Sequence, residues 1–416
     1  MPIDTRTLPR RPTRGTPSGR ARRTVPVGRA GRTVPVGRGE PSSSKHAGPP
    51  AHDSGWVLLA AVVATLCTIG LMMVLSASSV EALRSYNGAW VFFQRQLIWV
   101  GIGAVVLTGV SLVDYHRWRR EVIPLLAGSF LLLVLVLLPG VGITAGGSTR
   151  WLGTASFRIQ PSEIAKLAVL LFGADLLARR ADLVGSWQSV MRPLLLTSGL
   201  VAALVLLQPD MGTALLMIFI MFVLMFVGGV ALRPMAGLSA FALVASVILA
   251  KAESYRWDRV SSFRDPFSDF ENTGYQVAQS LVALGTGHVG GVGLGASRAK
   301  WGYLPNAHTD FIFAIVGEEL GLIGTFGVVA LFVAFAVLGI RTALRAPDRF
   351  GALLAAGVTA LVCGQAVVNM GAVTSLLPVT GVPLPFVSFG GSSLVVTMLA
   401  AGVLLNIARQ AKPATS

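Results

Sequence analysis

The sequence predicts an all-α, polytopic membrane protein, and three observations predict it. Hydrophobic residues fill 53% of the 416 positions and charged residues only 13%, against about 25% charged in an ordinary soluble domain. The apolar runs are near-continuous and about 17–25 residues long, which suits helices crossing hydrocarbon; barrel strands would be about 10 residues long and would alternate. Lys and Arg gather in the short segments on one side of these runs, as the positive-inside rule expects. That distribution also excludes nucleic acid as the reason for the formal charge of +15.

The chain is read in order as follows. Residues 1–55 hold eleven Lys and Arg against three acids, with "RTVPVGR" at 23–29 and again at 32–38. Such a stretch cannot bury a core, so it is expected to be a disordered basic cytoplasmic tail. It is too long and polar to be a signal peptide. About ten spans follow, near 56–77, 97–113, 122–139, 161–178, 193–208, 211–229, 234–251, 310–340, 351–373 and 389–408. The eighth exceeds what a bilayer needs and should tilt, kink or protrude. Together 56–410 form one transmembrane domain, and 411–416 a short cytoplasmic tail. Arg117, Arg119, Arg120, Arg179, Arg180, Arg233, Arg341, Arg345, Arg349, Arg409 and Lys412 fall on the side of the tail. Both termini are therefore placed in the cytoplasm.

The opposite side then collects four polar, Gly- and Pro-rich segments: "GGSTRWLG" at 146–153, "QPDMG" at 208–212, the large loop from about 252 to 309 between spans seven and eight, and "LLPVTGVPLPFVSFGGSS" at 376–393. Irregular backbone at a membrane surface persists only where protein or water satisfies it, so a site is expected there. Within the loop, "YQVAQSLVALG" reads as a short amphipathic helix, with Val277, Leu281 and Leu284 on the apolar face and Gln276, Gln279 and Ser280 near the polar one. "GTGHVG" at 285–290 matches GxGxxG, but no βαβ pattern surrounds it, so it reads as a hinge and not a dinucleotide site. Cys67 and Cys363 lie inside spans and support neither a disulfide framework nor a metal site.

Three acids mark the eighth span. Asp310 stands at its mouth behind Thr309, either as a helix-capping pair or with Asp310 as a general base at the membrane surface. His308 beside it is a titratable neighbour. Glu318 and Glu319 lie roughly 12–14 Å deeper along a helix. An acid there costs about 2.5–3.5 kcal/mol if it faces lipid, and adjacent helical positions point about 100° apart, so at least one of the two must face the bundle interior. Lys166, the one Lys in a span core, is the expected partner. Gln208 and Asp210 are further polar groups of the bundle. Arg150 and Trp151 sit at the interface, and Arg256, Arg259 and Lys300 add cations. Together these form a patch suited to an anionic, lipid-linked substrate, because a guanidinium forks onto phosphate oxygens.

"GSTRWL", "RIQPSEIAKL", "QPDMGTALL", "GYQVAQSLVALGTGHVGGVGLGAS", "YLPNAHTDFIFAIVGEELGLIG" and "LLPVTGVPLPFVSFGGSS" resemble the SEDS family (shape, elongation, division and sporulation proteins), in order over about 56–410. "AHTDFIFAIVGEELG" is closer to the FtsW-like cell-division branch than to the RodA-like elongation branch. The resemblance implies a peptidoglycan glycosyltransferase that polymerises lipid II at the outer face of the cytoplasmic membrane during septal wall synthesis. It implies Asp310 as the catalytic residue and Arg150, Trp151, Lys166 and Glu319 as further family positions. It also implies a class B penicillin-binding transpeptidase and other divisome proteins as partners. The cofactor expectation stays open between none and a divalent cation, Mg or Mn, beside the leaving pyrophosphate. The sequence departs from the family where Gly146-Gly147 replaces Asn-Gly. The rival readings are an elongation polymerase, a lipid II flippase and a non-enzymatic divisome scaffold.

Overall fold

The computed structural model describes residues 55–145, 148–154, 157–252, 257–258, 261, 263–270 and 274–411. The basic tail, Gly146-Gly147, Arg256 and Arg259 lie outside the described residues.

The helices are α1 (Gly55–Tyr86), α2 (Val91–Leu112), α3 (Trp118–Leu137), α4 (Pro161–Arg179), α5 (Arg192–Leu206), α6 (Met211–Val227), α7 (Leu232–Lys251), α8 (Tyr275–Thr286), α9 (Ile312–Arg345), α10 (Arg349–Val373) and α11 (Gly391–Gln410). Eight of the described helical segments are long and apolar enough to cross a membrane: α1, α2, α3, α5 taken together with the helical turn Trp187–Met191 that leads into it, α7, α9, α10 and α11. α6 is a shorter apolar helix, and α4 is packed inside the bundle with Glu163, Lys166 and Asp175 buried. These ten helices stand where the ten spans were expected, and the molecule is a multi-pass helical membrane protein.

Local sequence explains where the helices begin. Pro161 opens α4, where its missing N–H costs nothing, and Glu163 complements the positive helix start. Asp210 caps α6 by accepting the Thr213 amide at 3.1 Å, and Asp348 caps α10 by accepting the Gly351 amide at 2.9 Å. The core is formed by α4, α10 and α11, most of whose residues are buried, while α7 stands at the periphery. Small residues let backbones close up: a side chain at Gly402 would strike the Leu107 carbonyl of α2, and one at Gly339 the Thr359 hydroxyl of α10.

The helices alternate in direction. Asn406 of α11 accepts the Tyr115 amide, Arg349 donates to the Gly228 carbonyl, and Arg409 lies over Trp56. These contacts bring the expected cationic ends together. At the other end lies a three-stranded antiparallel meander that sequence reading did not place. It consists of β1 (Ile143–Ala145), β2 (Ser148–Gly153) and β3 (Arg158–Ile159). Strands this short carry too few alternations to be read from sequence.

α9 is broken. At Gly321 the backbone takes φ 65°, ψ −161°, a conformation open essentially to glycine alone. The Gly-rich loop fills the gap. Val292 and Gly293 amides donate to the Glu318 and Glu319 carbonyls at 2.9 and 3.1 Å, and the Leu322 amide donates to the His288 carbonyl at 3.0 Å. The helix can therefore open at depth because another segment satisfies its freed groups. The expected kink is present, and "GTGHVGG" supplies its docking partner. α8 forms as expected, but Ser280 is on its buried face, donating to the Val373 carbonyl of α10 at 2.8 Å.

Candidate functional site

The four polar segments expected on one face do converge. Asp310 lies two residues ahead of α9, in the turn 306–311. Asn306, in the left-handed region at φ 57°, accepts the Thr309 and Phe311 amides at 3.1 and 3.3 Å. The Thr309 hydroxyl also donates to the Asn306 carbonyl. Thr309 therefore does not cap α9, which starts at Ile312 with Phe311 in the N-cap position and no side-chain cap from it. Phe311, Ile312 and Phe313 are buried directly below. Asp310 itself is half-buried, so its turn is anchored from beneath while the residue keeps contact with the surface.

The segment between α10 and α11 holds that turn in place. The Phe389 amide donates to the His308 carbonyl at 3.0 Å, and the Ser388 hydroxyl to the Thr309 carbonyl at 2.6 Å. Gly381 faces the acid: a side-chain carbon there would stand 3.7 Å from Asp310 Oδ2.

Thr380, next to Gly381, lines an apolar groove of about 1010 Å³ that runs along α6, α9 and α10. Arg150 on β2 stands at its head with Pro209 and Gly212. The guanidinium is 3.7 Å from Asp210 Oδ2, and its Nε donates to the Ser148 hydroxyl. Gln160 donates to the same Asp210 oxygen at 3.2 Å. Asp210, expected as a bundle group, is 2% exposed and both caps α6 and holds Arg150. Trp151 is half-buried on β2, paired in register with Ile143. Gln208 is buried and donates to the Leu133 carbonyl, a bracing role.

His308 packs against Phe92 and Phe389, with ring centroids 4.8 and 5.6 Å away. Burial lowers its pKa to about 4, partly opposed by Glu81. The ring is therefore neutral at ordinary pH and supplies no cation.

The buried carboxylates are paired differently from expectation. Lys166 does not reach Glu318 or Glu319. It pairs with Glu163, one turn back on α4, at 2.9 Å, and donates to Gln365 at 2.8 Å. Gln365 in turn donates to the Pro383 carbonyl. The 163–166 spacing on one helix face was the available signal. Glu319 takes Lys300 at 3.4 Å and the Ser76 hydroxyl at 2.6 Å. Glu318 accepts the Ser297 hydroxyl and the Arg298 amide. Lys300 is thus enclosed in an ion pair within the bundle and is not on the cation patch.

Sequence reading missed Asn369, Ser388, Gln160 and Gly381. A polar side chain inside an apolar span, such as Asn369, is a default pointer to function. Ser388 and Gly381 lie in a segment already singled out, but their individual parts depend on its folded path.

The FtsW/RodA/SpoVE family model, described as a cell cycle protein, matches residues 57–413. The chain is 40% identical over 358 residues to a "Probable peptidoglycan glycosyltransferase FtsW" from Geobacter sp. (strain M18), covering 86% of this chain and 97% of that one. It is 41% identical over 356 residues to "Stage V sporulation protein E" of Bacillus subtilis (strain 168), covering 86% and 97%. A chain in a solved structure described as "Structural coordination of polymerization and crosslinking by a peptidoglycan synthase complex" superposes with a TM-score of 0.69 at 31% identity, covering 86% of this chain and 98% of that one. On its motifs, its fold and these likenesses, the chain belongs to the FtsW/RodA/SpoVE family of cell cycle proteins, the SEDS family.

Proposed function

We propose that this chain is a peptidoglycan glycosyltransferase that polymerises lipid II at the extracytoplasmic face of the cytoplasmic membrane. The observation that carries the reading is the juxtaposition of Asp310 and the Arg150-headed apolar groove across Thr380 and Gly381. A lipid-linked sugar has an apolar tail, an anionic pyrophosphate and a reacting carbon, in that order. The groove, with Arg150 at its head and Asp310 beyond Thr380 and Gly381, offers a counterpart to each of these parts. The excess of Arg at the opposite end of the helices supports the outward orientation of the site.

The reaction follows from these parts. The GlcNAc 4-hydroxyl of lipid II attacks the anomeric carbon of the lipid-linked MurNAc that ends the growing strand. The new O–C bond forms as the bond to pyrophosphate breaks, in a single inverting displacement. Asp310 accepts the hydroxyl proton as general base. Charge grows on the departing undecaprenyl pyrophosphate, and Arg150, held by Asp210 and Ser148, is placed to stabilise it. Among the described residues no group of three or more His, Cys, Asp and Glu side chains is placed to hold a metal ion, and no step here is routed through one. The partner is a class B penicillin-binding transpeptidase, and the place of action the division septum.

Purified Asp310→Asn protein, assayed on lipid II with the cognate transpeptidase, is expected to lose about 10²–10⁴-fold in rate. Polymerisation at the wild-type rate would remove the general-base reading. The break in α9 gives the flippase reading one point in its favour, because broken helices are common in secondary transporters. Glycan synthesis by detergent-solubilised protein, with no leaflets to cross, separates polymerase from flippase.

A further inference from the structure

Three consecutive carbonyls ahead of α9 are held from one side. Those of His308 and Thr309 are taken by Phe389 and Ser388, and that of Asp310 by Asn369 Nδ2 at 2.7 Å. The same Nδ2 donates to the Val382 carbonyl at 2.8 Å. Asn369 stands near the end of α10 and is 2% exposed.

An amide in such a place is unfavourable unless both its ends are bonded. Here the Oδ1 end is buried without a hydrogen-bond partner, so the side chain is half-satisfied. A bundle-filling role would be served as well by Leu. What Leu could not do is bridge two carbonyls from different segments. Val382 directly follows Gly381, the residue that faces the Asp310 carboxylate. One amino group therefore sets the spacing between the turn that carries the acid and the wall shared with the Arg150 groove.

We infer that Asn369 is a positioning residue for Asp310, acting through its Nδ2 bridge to the Asp310 and Val382 carbonyls. The inference rests on the reading of Asp310 as general base. With the bridge gone, the turn keeps its two links to Ser388 and Phe389, so the fold persists while the carboxylate loses its set position. Substrate held by the groove and Arg150 should bind as before.

The test uses the full chain with its cognate transpeptidase and lipid II as substrate. Asn369→Leu removes both hydrogen bonds, and Asn369→Ser retains at most one. Both are expected to lower kcat by about 10- to 100-fold, with KM within about twofold of wild type and a thermal midpoint lowered by no more than a few degrees, on the order of the cost of the carbonyls left unpaired. Should Asn369→Leu fail to fold, the Ser variant carries the same readouts. Wild-type kcat in a folded variant would overturn the proposal. So would a fall in kcat matched by a rise in KM and a midpoint lowered by more than that, which marks general disruption of the bundle. Asp310→Asn in parallel separates the two readings. Full activity there defeats the base assignment and this proposal with it, whereas an inactive Asp310→Asn beside a fully active Asn369→Ser defeats this proposal alone.

Discussion

Lys300 Nζ lies 3.4 Å from Glu319 Oε1, with both side chains buried. The lysine also donates to the Gly295 carbonyl at 2.6 Å and to the Ser76 hydroxyl at 3.2 Å. The ion pair thus joins the Gly-rich loop to α9 and to α1. Its net worth against an apolar pair of the same size is small, but removing one partner strands a buried charge, at about 3–5 kcal/mol. Lys300→Met is expected to lower stability by about that amount. The double replacement Lys300→Met with Glu319→Leu should recover most of it. Unfolding midpoints in detergent measure both, and an unchanged midpoint for Lys300→Met would show that the pair contributes nothing.

Gly321 is the second place where the loop and α9 depend on each other. A side-chain carbon there would fall 2.3 Å from the Gly291 nitrogen and 2.5 Å from the Val289 oxygen, both backbone atoms. Neither can swing aside as a flexible side chain would. Gly321→Ala must therefore expel the loop or force α9 into a continuous helix. The expected cost is at least about 1–3 kcal/mol, together with faster proteolytic cleavage between residues 287 and 295. Protection equal to wild type would show that the helix tolerates the substitution without releasing the loop.

Much of this arrangement was legible in the sequence, and the reasons differ by element. Hydrocarbon solvent imposes long apolar runs, so the ten helices could be placed from their sequence alone. The convergence of Arg150, Asp210, Asp310 and Gly381 could be anticipated at segment level, because alternating helices bring every second connection to one end. Pairings inside the bundle could not be read the same way. Glu318 and Glu319 were visible as acids needing partners, but choosing Lys300 over Lys166 requires knowing that the Gly-rich loop folds back into the break at Gly321. The excess length of that span announced a bend without locating it. Asn369 was hidden for a related reason: its partners are backbone carbonyls of two distant segments, and carbonyls leave no trace in residue identity.

His308 yields a pH prediction. Burial between Phe92 and Phe389 lowers its pKa from the usual 6.5 to about 4. The unfolded chain therefore takes up this proton before the folded one does. The stability owed to the neutral ring is full above about pH 6.5 and is lost as pH falls toward 4. The thermal midpoint of the wild type should drop across that window, and His308→Phe should flatten the drop. Between pH 6.5 and 8 the ring does not titrate, so the pH dependence of polymerisation there should be the same in wild type and His308→Phe. A wild-type inflection near 6.5 that the variant lacks would contradict the neutral assignment.

Gly381 tests whether the wall opposite Asp310 has to keep its shape. Its φ is +71°, a left-handed conformation that costs other residues about 1–2 kcal/mol. Contact is not the obstacle, since the nearest atom to an added carbon is Asp310 Oδ2 at 3.7 Å, an ordinary van der Waals distance. Gly381→Ala should therefore fold, but relief of the strain would rotate the Thr380–Val382 backbone away from Asp310. Polymerisation is expected to fall by about tenfold or more, with a small change in thermal midpoint. Gly390→Ala is the matched control in the same connection. Its φ of −174° is open to any residue, and an added carbon meets only the Ser393 side chain at 3.7 Å. That variant should polymerise lipid II at close to the wild-type rate. Equal rates for the two variants would mean that the backbone at Gly381 does not govern the distance between the acid and the groove.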